Sequence, residues 1–352
     1  MGKLGNWVIR ILRNKVIVGS RVIKAASLKR IFNCLKALTA FGLSTIAKRS
    51  VVWGVPFILT VEPTVLCNLR CPQCMAGMGK ISREKKSLSL SVYKNIIEQL
   101  GDRIWYLLLY NQGEPFLNPH LIEFIQIAKQ KRIYVTTSTN GHFLTDEDTI
   151  QKLVKSGLDT IIISLDGAEA ETYSKYRKGG NFQQVIKGIE NLVKIRNKLH
   201  SRTPKVFIQC LMMRHNENQL SQLKKLAHDL KADRLLLKTF QIEFSFTGEH
   251  FLPDDPKWCR YRREDKATKL KNSLKKGCSR LWYSTVMLSD GQVVPCCFDK
   301  NGEYTFGVIS QGSTIRKIWK SDAYNKFRNK ILRRQESIGI CQNCTENQKV
   351  YL

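Results

Sequence analysis

Between residues 52 and 245 the hydrophobic positions follow two alternating rhythms. Short apolar runs of strand type occupy 57–61, 105–110, 133–137, 160–164, 206–212 and 234–240. Between them, 90–100, 118–131, 146–156, 182–200 and 217–230 carry apolar residues at helical spacing. Strands alternating with amphipathic helices predict parallel βα units. Six such units are too few for the eight of a closed barrel. The pattern therefore predicts an α/β fold, a partial (β/α)6 barrel over 51–245. Its functional side chains are expected at the C-terminal ends of the strands.

Both flanks read differently. Residues 1–50 place Ile11 and Leu12, then Ile31, Leu35 and Leu38, at helical spacing among basic residues. They predict a basic amphipathic helical extension that either packs on the main body or lies at an anionic lipid surface. Near residue 245 the βα rhythm stops. Residues 246–352 predict a linker, dense in Lys and Arg at 257–280, and then a small cysteine-rich β-hairpin/helix domain. Its hairpin spans 283–294, turning at Ser289-Asp290-Gly291.

Composition adds one outlier. The chain has 352 residues, 43% of them hydrophobic, which excludes intrinsic disorder. Its 58 Lys+Arg against 29 Asp+Glu leave a net charge of +29, and residues 1–50 supply eleven basic residues and no acid. Such an excess points to nucleic acid, a membrane surface or a phosphorylated substrate. Against nucleic acid, no basic face with interleaved aromatics is visible. The longest uncharged stretch near the start, 37–47, falls short of the roughly 20 residues of a membrane span. Lys and Arg interrupt the first 36 residues, unlike a signal peptide. A cytoplasmic protein is expected, peripheral to the inner face of the membrane if the extension binds lipid.

The eleven cysteines change the picture most. Cys67, Cys71 and Cys74 follow the first strand directly. Three thiolates leave a structural zinc site one ligand short, so zinc would need a distant fourth residue. On a [4Fe–4S] cube they leave one iron open to a chelating small molecule. A C-x3-C-x2-C segment after the first strand of a βα partial barrel resembles the radical S-adenosylmethionine (radical SAM) enzymes. The resemblance implies that the open iron binds S-adenosylmethionine, whose reductive cleavage gives a 5′-deoxyadenosyl radical that abstracts a substrate hydrogen.

Further strand ends fit that resemblance. Tyr110-Asn-Gln-Gly-Glu-Pro115 looks like the family's Gly-Gly-Glu-Pro element, with Gln112 replacing the first glycine. It implies that Glu114 takes the ammonium of S-adenosylmethionine and that Gly113 permits close backbone approach. Ser138 and Asn140 end the third strand and resemble the polar pair that meets ribose or carboxylate. Ser164 and Asp166 end the fourth. Arg177 resembles the arginine that pairs with the methionyl carboxylate, although a solvated helix charge is as good a reading.

A second group, Cys278, Cys296, Cys341 and Cys344, looks like the SPASM/Twitch extension with auxiliary [4Fe–4S] clusters. Two clusters need seven or eight cysteines, and only six candidates lie here, Cys259 and Cys297 included. One auxiliary cluster is expected, as in the Twitch form of the aminocyclitol dehydrogenase of butirosin biosynthesis. A zinc ribbon is the competing reading, and Cys297 could replace Cys296 as ligand. Cys34 and Cys210 read as small buried apolar residues.

The resemblance implies an oxidoreductase that passes an electron from the substrate radical to the auxiliary cluster. Its substrate is expected to be a hydroxylated small molecule or sugar-like group, phosphorylated or lipid-linked given the charge. A flavodoxin- or ferredoxin-type protein would supply the first electron. The alternatives are a radical SAM peptide or protein maturase and, from another class, a zinc-dependent nucleic-acid-binding protein. The general base is not legible: Lys238, His142 and Glu243 all lie near strand ends.

Overall fold

The structure, a computed structural model, describes residues 22–23, 25–244, 248–264, 267–271, 277–310 and 314–344. Helix α1 (Leu28–Ala47) comes first. The barrel follows as β1 (Ile58–Val61), α2 (Leu90–Leu100), β2 (Tyr106–Leu109), α3 (Leu121–Gln130), β3 (Tyr134–Thr139), α4 (Glu147–Lys155), β4 (Thr160–Ser164), α5 (Ala170–Tyr176), α6 (Phe182–Lys198), β5 (Lys205–Met212), α7 (Leu220–Asp229) and β6 (Arg234–Thr239). Strands β1 to β6 lie side by side in chain order, all parallel. This is the α/β partial barrel that the rhythm predicts.

Alternation along each strand sorts its side chains between two faces. Leu59, Leu107, Leu109, Val135, Ile161, Ile163, Val206 and Ile208 join the core under the helices. Their neighbours face the lumen. There Tyr106 stacks on Tyr134 with centroids 5.1 Å apart, and Ile162, Phe207 and Leu236 pack with Tyr110.

Beyond the barrel come the antiparallel pair β7 (Tyr261–Glu264) and β8 (Ala267–Leu270), α8 (Arg280–Tyr283), β9 (Ser284–Met287), β10 (Val293–Val294), α9 (Ile315–Trp319), α10 (Asp322–Arg334) and α11 (Gly339–Gln342). The 283–294 hairpin forms, β10 antiparallel to β9. Its first strand also pairs in parallel with β1, Ile58 opposite Ser284. The cysteine-rich region thereby extends the barrel sheet to eight strands.

Helix α1 corrects a packing expectation. Its buried residues are Arg30, Asn33, Ala37, Ala40 and Ser44, while Ile31 and Leu35 are exposed. The Arg30 guanidinium donates to the carbonyls of Ala25, Gly101, Lys131 and Arg132. Asn33 exchanges two hydrogen bonds with the Val55 backbone. Gly54 lets the chain pass under the helix: a Cβ there would lie 3.0 Å from the Asn33 carbonyl. Ile11 and Leu12 lie outside the described residues. No helix among the described residues is long and apolar enough to cross a membrane.

Candidate functional site

The loop after β1 brings Cys67, Cys71 and Cys74 to one wall of a cavity of about 270 Å³ at the strand C-termini. Backbone N–H groups of Leu69 and Gly77 point at the sulfurs of Cys67 and Cys74, at 3.4 and 3.5 Å. Burial pushes the Cys71 thiol up to about 11 and raises that of Cys67. Arg177 opposes both shifts from across the cavity, its Nη1 4.0 Å from the Cys71 sulfur. Loading iron onto these thiols must therefore release protons.

Gly113, Glu114, Ser138, Asn140, Ser164 and Arg177 line the same cavity. Glu114 is 2% exposed. Its carboxylate accepts from Thr139 Oγ1 at 2.8 Å, from the Asn140 N–H at 2.7 Å and from the Phe116 N–H at 3.2 Å. Burial outweighs these donors and pushes the carboxyl up to about 7. Gly113, at φ +73°, sits where a Cβ would lie 2.3 Å from the Thr64 carbonyl oxygen. Its freedom thus serves approach to the β1 loop.

Asp166 departs from its expected place. It is fully buried and does not line the cavity; it stands behind Arg177. Its Oδ2 accepts from Arg177 Nε at 2.6 Å, and its Oδ1 accepts from the Leu211 N–H at 2.7 Å. Burial works against the charge on Arg177, and Asp166 with Cys71 more than restores it. Asp166 therefore aims a guanidinium rather than touching a ligand itself.

The three acid–base candidates separate. His142 Nε2 accepts from the Asn181 N–H at 2.8 Å, so its proton sits on Nδ1, 2.9 Å from Asn140 Oδ1. Burial lowers its pKa. It is a neutral prop that orients Asn140, whose Nδ2 reaches Asn68 Oδ1 at 2.7 Å. Glu243 is ion-paired to Lys300. Lys238 lies two residues beyond lumen-facing Leu236 and opposite Leu211, which lines the cavity. Its ammonium has no hydrogen-bond or ion-pair partner among the described residues, and burial lowers its pKa.

Cys278, Cys296, Cys341 and Cys344 line a second, apolar cavity with Phe298, Phe327, Ile331 and Ile340. Cys297 and Cys259 are not part of it. Cys297 acts electrostatically on Lys238 and Tyr110, which places it toward the lumen. Cys259 packs near Cys67 and Cys74 against a separate cluster. Cys210 is fully buried, and Cys34 packs beside Ala37, Phe57 and Tyr283. Among the described residues no three His, Cys, Asp or Glu side chains converge on a point suited to one metal ion. Tetrahedral zinc requires such convergence, whereas a cube takes each thiolate on a different iron. Three thiols beside an open cavity and four around an apolar one each suit an iron–sulfur cluster.

Tyr110 and Lys300 also line this first cavity, and the sequence does not single them out. Each sits on a wall whose partner comes from a distant segment, which spacing alone cannot show.

Residues 61–227 match the model of the Radical SAM superfamily, and 278–345 match SPASM, an iron–sulfur cluster-binding domain. Mycofactocin maturase MftC of Mycolicibacterium smegmatis is 32% identical over 172 residues, 49% of this chain and 42% of that protein. The match thus spans less than half of the relative's length. SuiB of Streptococcus suis, bound to precursor peptide SuiA, aligns with TM-score 0.58 and 16% identity over 83% of this chain and 72% of that one. BtrN in complex with AdoMet and 2-DOIA aligns with TM-score 0.50 and 20% identity over 82% and 93%. At these identities the two structures show a shared fold.

Proposed function

We propose that this chain, which belongs to the radical SAM superfamily and carries a C-terminal SPASM domain, modifies a peptide or protein segment laid between its two cysteine sites. Its cofactors are a [4Fe–4S] cluster, S-adenosylmethionine and an auxiliary cluster. In this reading Cys67, Cys71 and Cys74 hold the first cluster, and Cys278, Cys296, Cys341 and Cys344 the auxiliary one. When bound, these groups supply a hydrogen-abstracting 5′-deoxyadenosyl radical and a one-electron acceptor, with a flavodoxin- or ferredoxin-type protein as electron source.

The chain's own residues bind and orient. Glu114 faces the ammonium of S-adenosylmethionine. Arg177, aimed by Asp166, offers its remaining donors to the carboxylate. Ser138, Asn140 and Ser164 supply polar contacts around them. A substrate that loses a hydrogen atom and an electron must also lose a proton to be oxidised by two electrons. Lys238, an amine weakened by burial and facing the lumen, takes that proton.

One observation carries the substrate reading. Lys300 lines the first cavity and also a third, likewise of about 270 Å³, lined by Met75, Gln241, Glu243, Asp299 and Asn343. The two cavities share Lys300 and have polar linings, one at the three-thiol loop and the other reaching residues of the cysteine-rich region. Such a pair suits an extended peptide. The similarity to a maturase supports this reading, as does the fold shared with a peptide-bound enzyme. A hydroxylated or sugar-like small molecule is the second reading, favoured by a single four-thiol cavity, the expected one-cluster arrangement.

Two measurements check this. The reconstituted protein, given S-adenosylmethionine, dithionite and peptides encoded by short reading frames beside its gene, should change the mass of one peptide. Oxidation of aminocyclitols or sugar alcohols with no peptide change would establish the second reading. Lys238→Met should still form 5′-deoxyadenosine yet lose product. Glu114 yields the pH test. Its carboxyl must ionise to receive an ammonium, so affinity for S-adenosylmethionine should fall as pH drops below about 7. The fall should approach about tenfold per pH unit, flattening above 7. Glu114→Gln should bind weakly with no such slope, read by equilibrium dialysis.

A further inference from the structure

Eleven large hydrophobic side chains are exposed among the described residues, and eight of them lie between Ile23 and Trp53. On α1 they recur as Leu28, Phe32, Leu35, Leu43 and Ile46, one continuous face of the helix. An amphipathic helix on a soluble body normally buries that face. Here the opposite face is bolted down by Arg30, Asn33 and Ser44, so the apolar stripe is held outward. Ile46 is 81% exposed and Phe32 60%.

The charge around the stripe selects its occupant. Lys36, Lys48 and Arg49 are exposed beside it, with Lys29, which meets Asp102 at 3.3 Å, and Lys36 Nζ lies 4.4 Å from the Phe32 ring centroid. Residues 1–50 contain no acid. A second copy of this chain would set the same positive excess against itself. An anionic bilayer offers phosphate to the lysines and hydrocarbon to the stripe. We propose that the outward face of α1 docks the protein on an anionic lipid surface.

The anchors also fix which way the site looks. Arg30 binds the carbonyls of Gly101, Lys131 and Arg132, in the loops that enter β2 and β3. Asn33 binds Val55, just before β1, and Trp105 Nε1 donates to the Val22 carbonyl, just before β2. The helix therefore sits at the N-terminal ends of the strands, and the cysteine loop at their C-terminal ends. A docked protein presents its cavity away from the lipid, to a substrate arriving from water. The lipid-linked substrate expected from the charge does not suit this orientation.

Co-sedimentation of the full-length reconstituted protein with vesicles tests this. It should bind phosphatidylglycerol/phosphatidylcholine vesicles roughly tenfold or more tighter than pure phosphatidylcholine, and lose that binding at high salt. Phe32→Asp/Leu35→Asp should abolish binding while iron content and 5′-deoxyadenosine formation stay unchanged. Equal binding to neutral vesicles, or unchanged binding by the double variant, would overturn the proposal. So would a dimer in solution that the double variant dissociates, or an acidic protein that competes for the face more tightly than anionic vesicles.

Discussion

Replacing Cys296 with alanine should remove about half of the iron, leaving roughly four of eight atoms per chain, whereas Cys297→Ala should keep nearly all eight. Cys296 and Cys297 lie in the bend and turn that follow β10. Cys296 turns to the cavity with Cys278, Cys341 and Cys344, and Cys297 turns toward Lys238 and Tyr110. Burial raises the Cys296 thiol well above its usual range, with Cys297 and Cys278 adding to the shift. Burial raises the Cys341 thiol as well, and losing Cys296 leaves the auxiliary cluster with an iron that no fourth thiolate of this apolar cavity can take. Iron and sulfide analysis with electron paramagnetic resonance reads the result. The S-adenosylmethionine site should stay loaded in both variants, and 5′-deoxyadenosine should form in both. Iron loss in Cys297→Ala instead would reverse the assignment.

Gly113→Ala should cost about 3 kcal/mol or more and empty the first cluster site. Two penalties add. An alanine at φ +73° pays the left-handed strain, and its Cβ would lie 2.3 Å from the Thr64 carbonyl oxygen and 2.7 Å from that of Leu66. The loop cannot retreat. The Glu114 N–H holds the Leu66 carbonyl at 2.7 Å, Ser87 Oγ meets Thr64 Oγ1 at 2.9 Å, and Asn118 Nδ2 holds the Pro63 carbonyl at 2.7 Å. Displacing it moves Cys67, so iron retention should fall together with a Tm drop of roughly 5–10 °C. Gly79→Ala is the control: φ is +66° with nothing within 4 Å of the added Cβ. It should lose only the strain, about 1 kcal/mol, and keep its cluster. Equal losses in both variants would mean that the close approach at Gly113 does not matter.

Strand alternation and helical spacing placed all six barrel strands and their order, because local periodicity is set by burial of one face. The sequence also suggested that the cysteine triad, Glu114, Ser138, Asn140, Ser164 and Arg177 would meet, since each sits at a strand end or in the adjoining loops, and the structure brings them to one cavity. Three things were not legible. Asp166 looked like a cavity residue because alternation gives a direction, not what stands between the side chain and the ligand. Which face of α1 packs on the body was not legible, because Arg30 and Asn33, polar in sequence, find carbonyls from loops about 70 and 100 residues away in one case and at Val55 in the other. The choice between Cys296 and Cys297 depended on a bend no spacing reveals.

The pairing of Ile58 with Ser284 also bears on how the protein comes into being. The ribosome delivers β1 and the cysteine triad early and β9 much later, so the nascent barrel carries a bare parallel edge in the interval. An unpaired edge invites association with other chains. The bed of the triad loop is complete only when the segment just after Cys278 has emerged. A chain ended near residue 245 would leave the β1 edge open, where β9 covers it in the full chain.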